Sequence, residues 1–230
     1  MQPKEIYIKV TKDGPYLLYG IPKINEEIII SDEENIAIEY RQGRIFEIKK
    51  FPAALCRCGK TKNAPFCDGE HTKDNFDGTE TASFEPVINN TVVYEGAGLI
   101  LKDNEDLCAS ARFCDAKGTI WNLIFEETEE AQKEVIRQAN LCPAGRFIIT
   151  DKNGTVIEDI SPQEISILED EGLEISGPIW VKGSIRVESI NGKSYEIRND
   201  QTLCRCGNSK NKPFCDSAHC HKGYKATYKD

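Results

Sequence analysis

Ten cysteines and three histidines are the residues of this 230-residue chain best suited to metal chemistry. Nine of the cysteines form three groups, and a histidine follows the first and the last group by four residues. The groups are Cys56, Cys58 and Cys67 with His71; Cys108, Cys114 and Cys142; and Cys204, Cys206 and Cys215 with His219. Because thiolate and imidazole are strong ligands for iron and zinc, this clustering predicts metal binding.

The first and last groups belong to an internal repeat. The segment LCRCGKTKNAPFCDGEH at 55–71 aligns without a gap to LCRCGNSKNKPFCDSAH at 203–219. Both have the spacing C-x-C-x8-C-x3-H, and a short helix beginning near Asp68 would place Cys67 and His71 on one face. Three thiolates and an imidazole could then converge, and imidazole raises the potential of a 2Fe-2S centre when it replaces thiolate. Asp68 and Asp216 are expected to accept backbone N–H bonds at the helix start.

These motifs resemble the CDGSH, or mitoNEET-like, iron-sulfur family, through CRCG at 56–59 and PFCDGEH at 65–71 and their second copies. The resemblance implies two 2Fe-2S clusters, each held by three Cys and one His. The implied ligands are Cys56, Cys58, Cys67 and His71, and Cys204, Cys206, Cys215 and His219. The differences at Glu70 and at 217–218 are not at ligand positions. Since mitoNEET-type members are dimers, the resemblance implies a monomer with an internal pseudo-dimer, or a homodimer.

Two other uses of these cysteines compete with an iron-sulfur site. A structural zinc site also takes Cys and His, but its cysteine pairs are usually spaced C-x2-4-C rather than C-x-C. Disulfides are disfavoured because the start of the sequence has no export-signal pattern. Cys220 has no obvious partner set and is expected to have no function.

The middle group has the spacing Cys108-x5-Cys114, followed 28 residues later by Cys142-Pro143. This segment, about 91–150, resembles single-cluster bacterial ferredoxins and their divergent relatives. In those, a cysteine or aspartate midway between the first two ligands can hold a fourth iron, so Ala111 at that point favours a 3Fe-4S cluster. A 4Fe-4S cluster with an outside ligand is the variant, and three unrelated core cysteines are the alternative.

Composition and charge limit the function classes. The chain is 39% hydrophobic and 29% charged, which is ordinary for a globular protein, and its net charge of -9 argues against nucleic-acid and anionic-membrane partners. No apolar segment approaches the roughly 20 residues of a membrane span, and we expect a cytoplasmic protein. We find no phosphate-binding loop and no nucleophile with a base, so we expect no enzyme.

Hydrophobic patterns indicate many strands and little helix. Besides the short helix near Asp68, helix is predicted at 126–140. The predicted strands are 6–10, 27–30, 36–40, 44–48, 179–187 and 194–198, with a further one around 100–101 before Cys108. We expect an α+β fold with a mostly antiparallel β scaffold, two CDGSH cluster-binding units and a small ferredoxin-like insert. The predicted domains are 1–86 (first CDGSH-type), 87–161 (ferredoxin-like, 3Fe-4S or 4Fe-4S) and 162–230 (second CDGSH-type).

Two functions remain open. The protein transfers single electrons between redox partner proteins, or it stores, senses or delivers 2Fe-2S clusters to apo-proteins. The second cluster type favours electron transfer. A basic set is expected to shield the clusters or form a docking face, or else to be a solvated loop: Arg57, Lys60, Lys62, Arg205, Lys210 and Lys212. In acid, both His-ligated clusters are expected to be lost before the middle one.

Overall fold

A computed structural model describes residues 5–20 and 24–229 of the protein. Strand predominates over helix in these ranges. In chain order the strands are β1 (Tyr7–Val10), β2 (Tyr16–Tyr19), β3 (Ile24–Ser31), β4 (Ala37–Ile45), β5 (Ala53–Leu55), β6 (Val92–Glu95), β7 (Leu99–Asp103), β8 (Phe147–Asp151), β9 (Glu164–Asp170), β10 (Ile175–Lys182), β11 (Arg186–Glu188) and β12 (Asp200–Leu203). The α-helices are α1 (Ile120–Leu123), α2 (Glu129–Asn140) and α3 (Ala218–His221). Short 3-10 helices lie at Glu70–Thr72, Val87–Asn90, Glu105–Leu107 and Phe113–Gly118.

The two copies of the repeat exchange strands: the first copy gives β3 and β4 to the second sheet, and the second copy gives β11 to the first sheet. The first sheet has the order β11-β1-β2-β5 and the second has the order β12-β10-β9-β3-β4. The third strand of the first copy, β3, runs parallel to β9, and the third strand of the second copy, β11, runs parallel to β1. The expected mostly antiparallel scaffold is therefore wrong in this respect: both sheets are mixed, because each completes its edge with a strand from the other copy.

One hydrophobic core serves both sheets. It contains Ile8 and Leu18 from the first copy and Ile165 and Val181 from the second, all fully buried. Since burying such a side chain contributes about 1.5–3 kcal/mol, the two copies stabilise each other directly. The domain boundaries expected at 86 and 161 stay a prediction.

The middle segment forms its own antiparallel sheet, in the order β6-β7-β8. Helix α2 packs Ala131 and Val135 into the core of this sheet. It begins three residues later than predicted because the Thr128 hydroxyl caps it, accepting a bond of 3.2 Å from the Ala131 N–H. Strand β7 confirms the strand expected before Cys108, whereas the ferredoxin-like fold of this segment stays a prediction.

Two local predictions were wrong. The strands predicted at 36–40 and 44–48 are joined in one strand, β4, where the Glu26 carboxylate accepts a 3.0 Å bond from the Arg44 N–H across a bulge. The strand expected at 194–198 is replaced by one isolated bridge, because the Asn199 side chain ties this segment to the chain at 159–161. In the described ranges, no helix has the length and apolarity that a bilayer crossing requires.

Candidate metal centres

The first motif lies at the end of β5. Its two halves are held together by backbone bonds from Cys56 N to Pro65 O (2.8 Å) and from Cys67 N to Ala54 O (2.9 Å). The Sγ atoms of Cys56 and Cys58 lie 3.8 Å apart, and Cys67 Sγ lies 3.4 Å from Nδ1 of His71. The predicted helix after Cys67 begins at Glu70 as a 3-10 turn, which brings His71 back toward Cys67.

The second motif repeats this geometry at the end of β12. Cys204 N donates to Pro213 O (2.8 Å) and Cys215 N donates to Thr202 O (2.9 Å). The Sγ atoms of Cys204 and Cys206 are 3.7 Å apart. Cys215 Sγ lies 3.4 Å from Nδ1 of His219, which stands on α3. In each copy the four predicted donors thus form two close pairs, one Cys–Cys and one Cys–His.

These pair distances fit a tetrahedral metal. With sulfur at about 2.3 Å and nitrogen at about 2.0 Å from the metal, the S–S edge is about 3.8 Å and the S–N edge about 3.5 Å. Every cysteine is free, and the thiol pairs are far beyond a disulfide bond length of about 2.05 Å. In the described part of the chain, no three His, Cys, Asp or Glu residues surround one ion position. Each motif therefore offers two donor pairs, each with the spacing of two ligands on one metal ion.

Each Cys-x-Cys pair is prepared to lose a proton. The two thiols share a hydrogen bond, which lowers the pKa of Cys56 to about 6 and raises that of Cys58. In the second motif the same sharing lowers the pKa of Cys206 to about 6 and raises that of Cys204. Backbone N–H groups of the loop support the thiolate. Near neutral pH, one thiol of each pair would therefore be deprotonated and able to bind a metal.

The carboxylates that follow the third cysteine have the expected supporting role. Asp68 accepts backbone bonds from Lys62 (2.8 Å) and Glu70 (3.2 Å). Asp216 does the same for Lys210 (2.7 Å) and Ala218 (3.1 Å). This prediction is confirmed, and each carboxylate ties the loop after the Cys-x-Cys pair to the helical turn that bears the histidine.

Two arginines of the basic set are buried, so they lie neither on a docking face nor in a solvated loop, two of the alternatives that the sequence left open. Arg57 donates to the carbonyls of Thr11 (3.0 Å) and Gly78. Arg205 donates to the carbonyls of Gly177 (2.8 Å) and Leu168 (2.8 Å) and also pairs with Glu169. Both side chains are 1% exposed. They hold neighbouring backbone segments together by hydrogen bonds, a role that the surrounding sequence did not indicate.

The two cysteine loops touch each other. A Cβ on Gly59 would lie 2.5 Å from Cys206 O, and a Cβ on Gly207 would lie 2.5 Å from Cys58 O. Both glycines have positive φ, so their loops need glycine for conformation and for close approach. The buried Tyr16 hydroxyl donates toward the carbonyls of Cys204 and Pro213, both at 2.9 Å. The two CDGSH motifs are therefore in direct contact through their Cys-x-Cys loops.

The middle cysteines line one small cavity together with Ala111, Phe113 and Pro143. Cys108 Sγ accepts a 3.4 Å bond from Ser110 N, and burial raises the pKa of Cys142 to about 11. Arg146, which also lines the cavity, is held by Asp103 through two bonds of 2.6 Å. Three soft ligands and a buried cation suit an anionic iron-sulfur cluster. Arg146 was not predicted from the sequence. Its position four residues after Cys142 could have indicated that it lies near the site.

The middle loop is anchored to the second motif. Ser217 Oγ donates to Cys108 O at 2.6 Å, and Cys215 packs in one apolar cluster with Ala109 and Ala144. Arg112 pairs with Asp170 at the end of β9. The middle and second sites are therefore in direct contact through these residues.

Comparison with protein-family models agrees with these three sites. The model described as iron-binding zinc finger CDGSH type matches residues 13–72 and 176–220. The model described as divergent 4Fe-4S mono-cluster matches residues 94–152. The chain contains two CDGSH domains flanking a divergent 4Fe-4S mono-cluster domain. It is thus an iron-sulfur protein. No curated protein and no solved structure matched it.

The two CDGSH sites differ in exposure. Cys215 and His219 of the second site are 3% and 4% exposed, and Ala109 and Ala144 of the mono-cluster domain pack on Cys215. Cys67 and His71 of the first site are both partly exposed. Burial lowers the pKa of His219 to about 4. Identical ligand spacing thus gives one covered and one accessible site.

Cys220, for which the sequence offered no partner, lies on α3 beside the mono-cluster domain. Burial raises the pKa of its thiol, which also hydrogen-bonds Ser110. It is absent from the cavity that the three middle cysteines line. The structure therefore places it next to the middle site but not in the lining of that cavity.

Proposed function

We propose that the protein is a single-electron carrier with two 2Fe-2S clusters and one 3Fe-4S cluster. The CDGSH ligands would be Cys56, Cys58, Cys67 and His71, and Cys204, Cys206, Cys215 and His219; those of the middle cluster would be Cys108, Cys114 and Cys142. Iron-sulfur clusters bound there supply reversible one-electron chemistry. No catalytic residues are proposed.

The contacts between the sites carry this proposal. The middle cysteine loop touches the second site through Ser217 and Cys108, and the second cysteine loop touches the first through Gly59 and Gly207. The spatial order is therefore middle, second, first, although the chain order is different. A cluster donor needs accessible sites, whereas a carrier needs neighbouring ones. The continuous order of sites favours the carrier.

The same contacts favour a monomer with an internal pseudo-dimer. Each copy completes the sheet of the other, and both copies share one core. A second chain is not needed to bring two CDGSH sites together. Sedimentation of the iron-loaded protein at micromolar concentration should give the mass of one 25.8 kDa chain.

The middle cluster is proposed as 3Fe-4S because three cysteines, and no fourth, line its cavity. Ala111 stands in that lining and offers no ligand atom. A 4Fe-4S cluster with an outside ligand is the alternative. Iron analysis should give about seven irons per chain in the first case and about eight in the second, and EPR of the oxidised protein separates the two types.

The deciding experiment for electron transfer is reversible cycling. The as-purified protein is reduced with dithionite, reoxidised, and reduced again, with iron and sulfide measured after every cycle. Electron transfer predicts that all three EPR signals return with constant iron content. Loss of iron on reduction, or zinc in place of iron, would contradict the proposal.

Cluster transfer from the first CDGSH site is the second candidate, and the partial exposure of Cys67 and His71 favours it. Incubation with an apo-ferredoxin should then remove two irons from the first site and leave the second site loaded. His71→Cys should slow this loss, since a metal-bound thiolate is harder to protonate than imidazole.

A further inference from the structure

We infer that the groove beside the first CDGSH site is the docking site for an acidic one-electron carrier protein. This inference rests on the proposed electron-transfer function and names its partner class. The groove encloses about 640 Å³ and runs between the end of β4, β5 and the chain terminus near Tyr228. Cys67, one of the predicted iron ligands, lies in its wall.

The charge of the groove is opposite to that of the protein. Its described lining has four cationic residues, Arg44, Lys49, Lys50 and Lys229, and one anionic residue, Glu47, whereas the whole chain has a net charge of -9. Arg44 is already paired with Glu26 at 2.8 Å. The three lysines are exposed and have no ion pair within the described ranges. Their charge is therefore available to an anionic partner.

The floor of the groove is suited to a protein surface. Phe46, Phe66 and Tyr228 line it, and Phe46 stacks on Tyr228 at a ring separation of 5.8 Å. Ile45, also in the lining, is 63% exposed. An apolar centre with a charged rim is the usual composition of a protein-protein interface.

The equivalent groove of the second copy has the opposite charge. Phe66 and Asn63 correspond to Phe214 and Asn211, which line a cavity of about 380 Å³. Its acidic residues are Glu85, Asp106 and Glu196, against the single cation Arg198. Cys215 is absent from its lining. Only the first groove therefore combines positive charge with access to a cluster ligand.

The chemistry of the encounter is a one-electron exchange. The reduced partner loses one electron and the first site gains it, or the reverse, and no bond is made or broken. Electrostatic steering of opposite charges accelerates such encounters by about 10- to 1,000-fold at low salt. The three sites lie in the spatial order middle, second, first. A partner docked in this groove would contact the first site, at the exposed end of that order.

The test measures binding without electron transfer. The oxidised protein is titrated with an oxidised, acidic plant-type 2Fe-2S ferredoxin as the probe, by calorimetry at 0.01 M and at 1 M salt. The variant Lys49→Glu, Lys50→Glu, Lys229→Glu should bind at least about tenfold more weakly at low salt. The difference should vanish at high salt, where the Debye length falls from about 30 Å to about 3 Å.

A matched variant controls for the change in overall charge. Lys12→Glu, Lys133→Glu, Lys222→Glu alters the net charge equally at exposed residues outside the groove, and it should weaken binding less than about threefold. Equal weakening by both variants, or none in the groove variant, would overturn the inference, as would tighter binding of a basic cytochrome c. Self-association at low salt that the groove variant abolishes would also overturn it, assigning the groove to a second copy.

Failure of docking and failure of electron transfer are distinguishable. Dithionite reduces the clusters without a protein partner. If both variants are reduced reversibly, the electron-carrier proposal stands even when the titrations show no docking. Conversely, salt-dependent binding by a protein whose clusters do not cycle would retain the docking site and reject the carrier.

Discussion

The two CDGSH sites have the same ligands at the same spacing and nearly the same pair distances, yet they lie in different surroundings. The second is covered by the mono-cluster domain, through Ser217 on Cys108 and through the packing of Cys215. The first opens on a basic groove beside Cys67. The difference teaches that the neighbours of a site, rather than its ligands, determine its access to protons and to partners.

Acid should separate the two sites most strongly. The sequence predicted that both CDGSH clusters are lost together, before the middle one. Burial lowers the pKa of His219 to about 4, so its ring stays neutral and able to ligate until the pH falls that far, whereas the His71 ring is partly exposed. The second cluster should therefore bleach at a pH at least about one unit lower than the first. Visible absorbance and EPR measure the loss of each cluster.

Single ligand variants control the acid experiment. His71→Cys should remove the early bleaching phase, and His219→Cys should leave that phase unchanged. If both sites bleach in one phase, or if His219→Cys removes the early phase, the difference in burial does not control acid stability.

Tyr16→Phe should destabilise the protein by about 1–3 kcal/mol, because the buried carbonyl of Cys204 loses its hydroxyl partner. The corresponding residue of the second copy is Ile179, which donates no such bond to the first site. The variant should thus loosen the second site selectively. Urea unfolding measures the stability, and iron release from each site measures the selectivity. Tyr94→Phe, at a partly buried ring in the mono-cluster domain, is the control, with a change below about 0.5 kcal/mol.

Ser217→Gly makes the second motif match the first at this position, where Gly69 stands. The loss of the 2.6 Å bond to Cys108 O should weaken the contact with the mono-cluster domain. Glycine suits the positive φ of Ser217 (67°), so the overall stability should change little. The magnetic coupling between the middle and second clusters, read by EPR, should fall. Gly69→Ser is the reciprocal variant and should leave that coupling unchanged. An unaltered signal in Ser217→Gly would show that this contact does not couple the sites.

Cys220→Ser should have the smallest effect, since this thiol lies outside the cavity of the three middle cysteines. Iron content and the EPR of the middle cluster should not change, and stability should change by less than about 0.5 kcal/mol. Loss of one iron would instead identify Cys220 as the outside ligand of a 4Fe-4S cluster.

The sequence by itself determined the donor pairs, because the repeat at 55–71 and 203–219 encodes local loops. In these loops the short Cys-x-Cys spacing and the helical turn each bring two donors together. It also indicated the β-rich class, the helix α2 and the supporting carboxylates Asp68 and Asp216. These features depend on contacts between residues that are close in the chain, which spacing and periodicity report.

Only the tertiary structure decided how the sites relate to each other. Four features join residues far apart in the chain: the exchange of β3, β4 and β11, the buried arginines, the order of the three sites and the opposite charges of the two grooves. Local pattern does not encode such pairings, because either copy could complete a sheet with its own strand. Burial of one core by both copies selects the exchanged arrangement, and that arrangement leaves the first site open and the second covered.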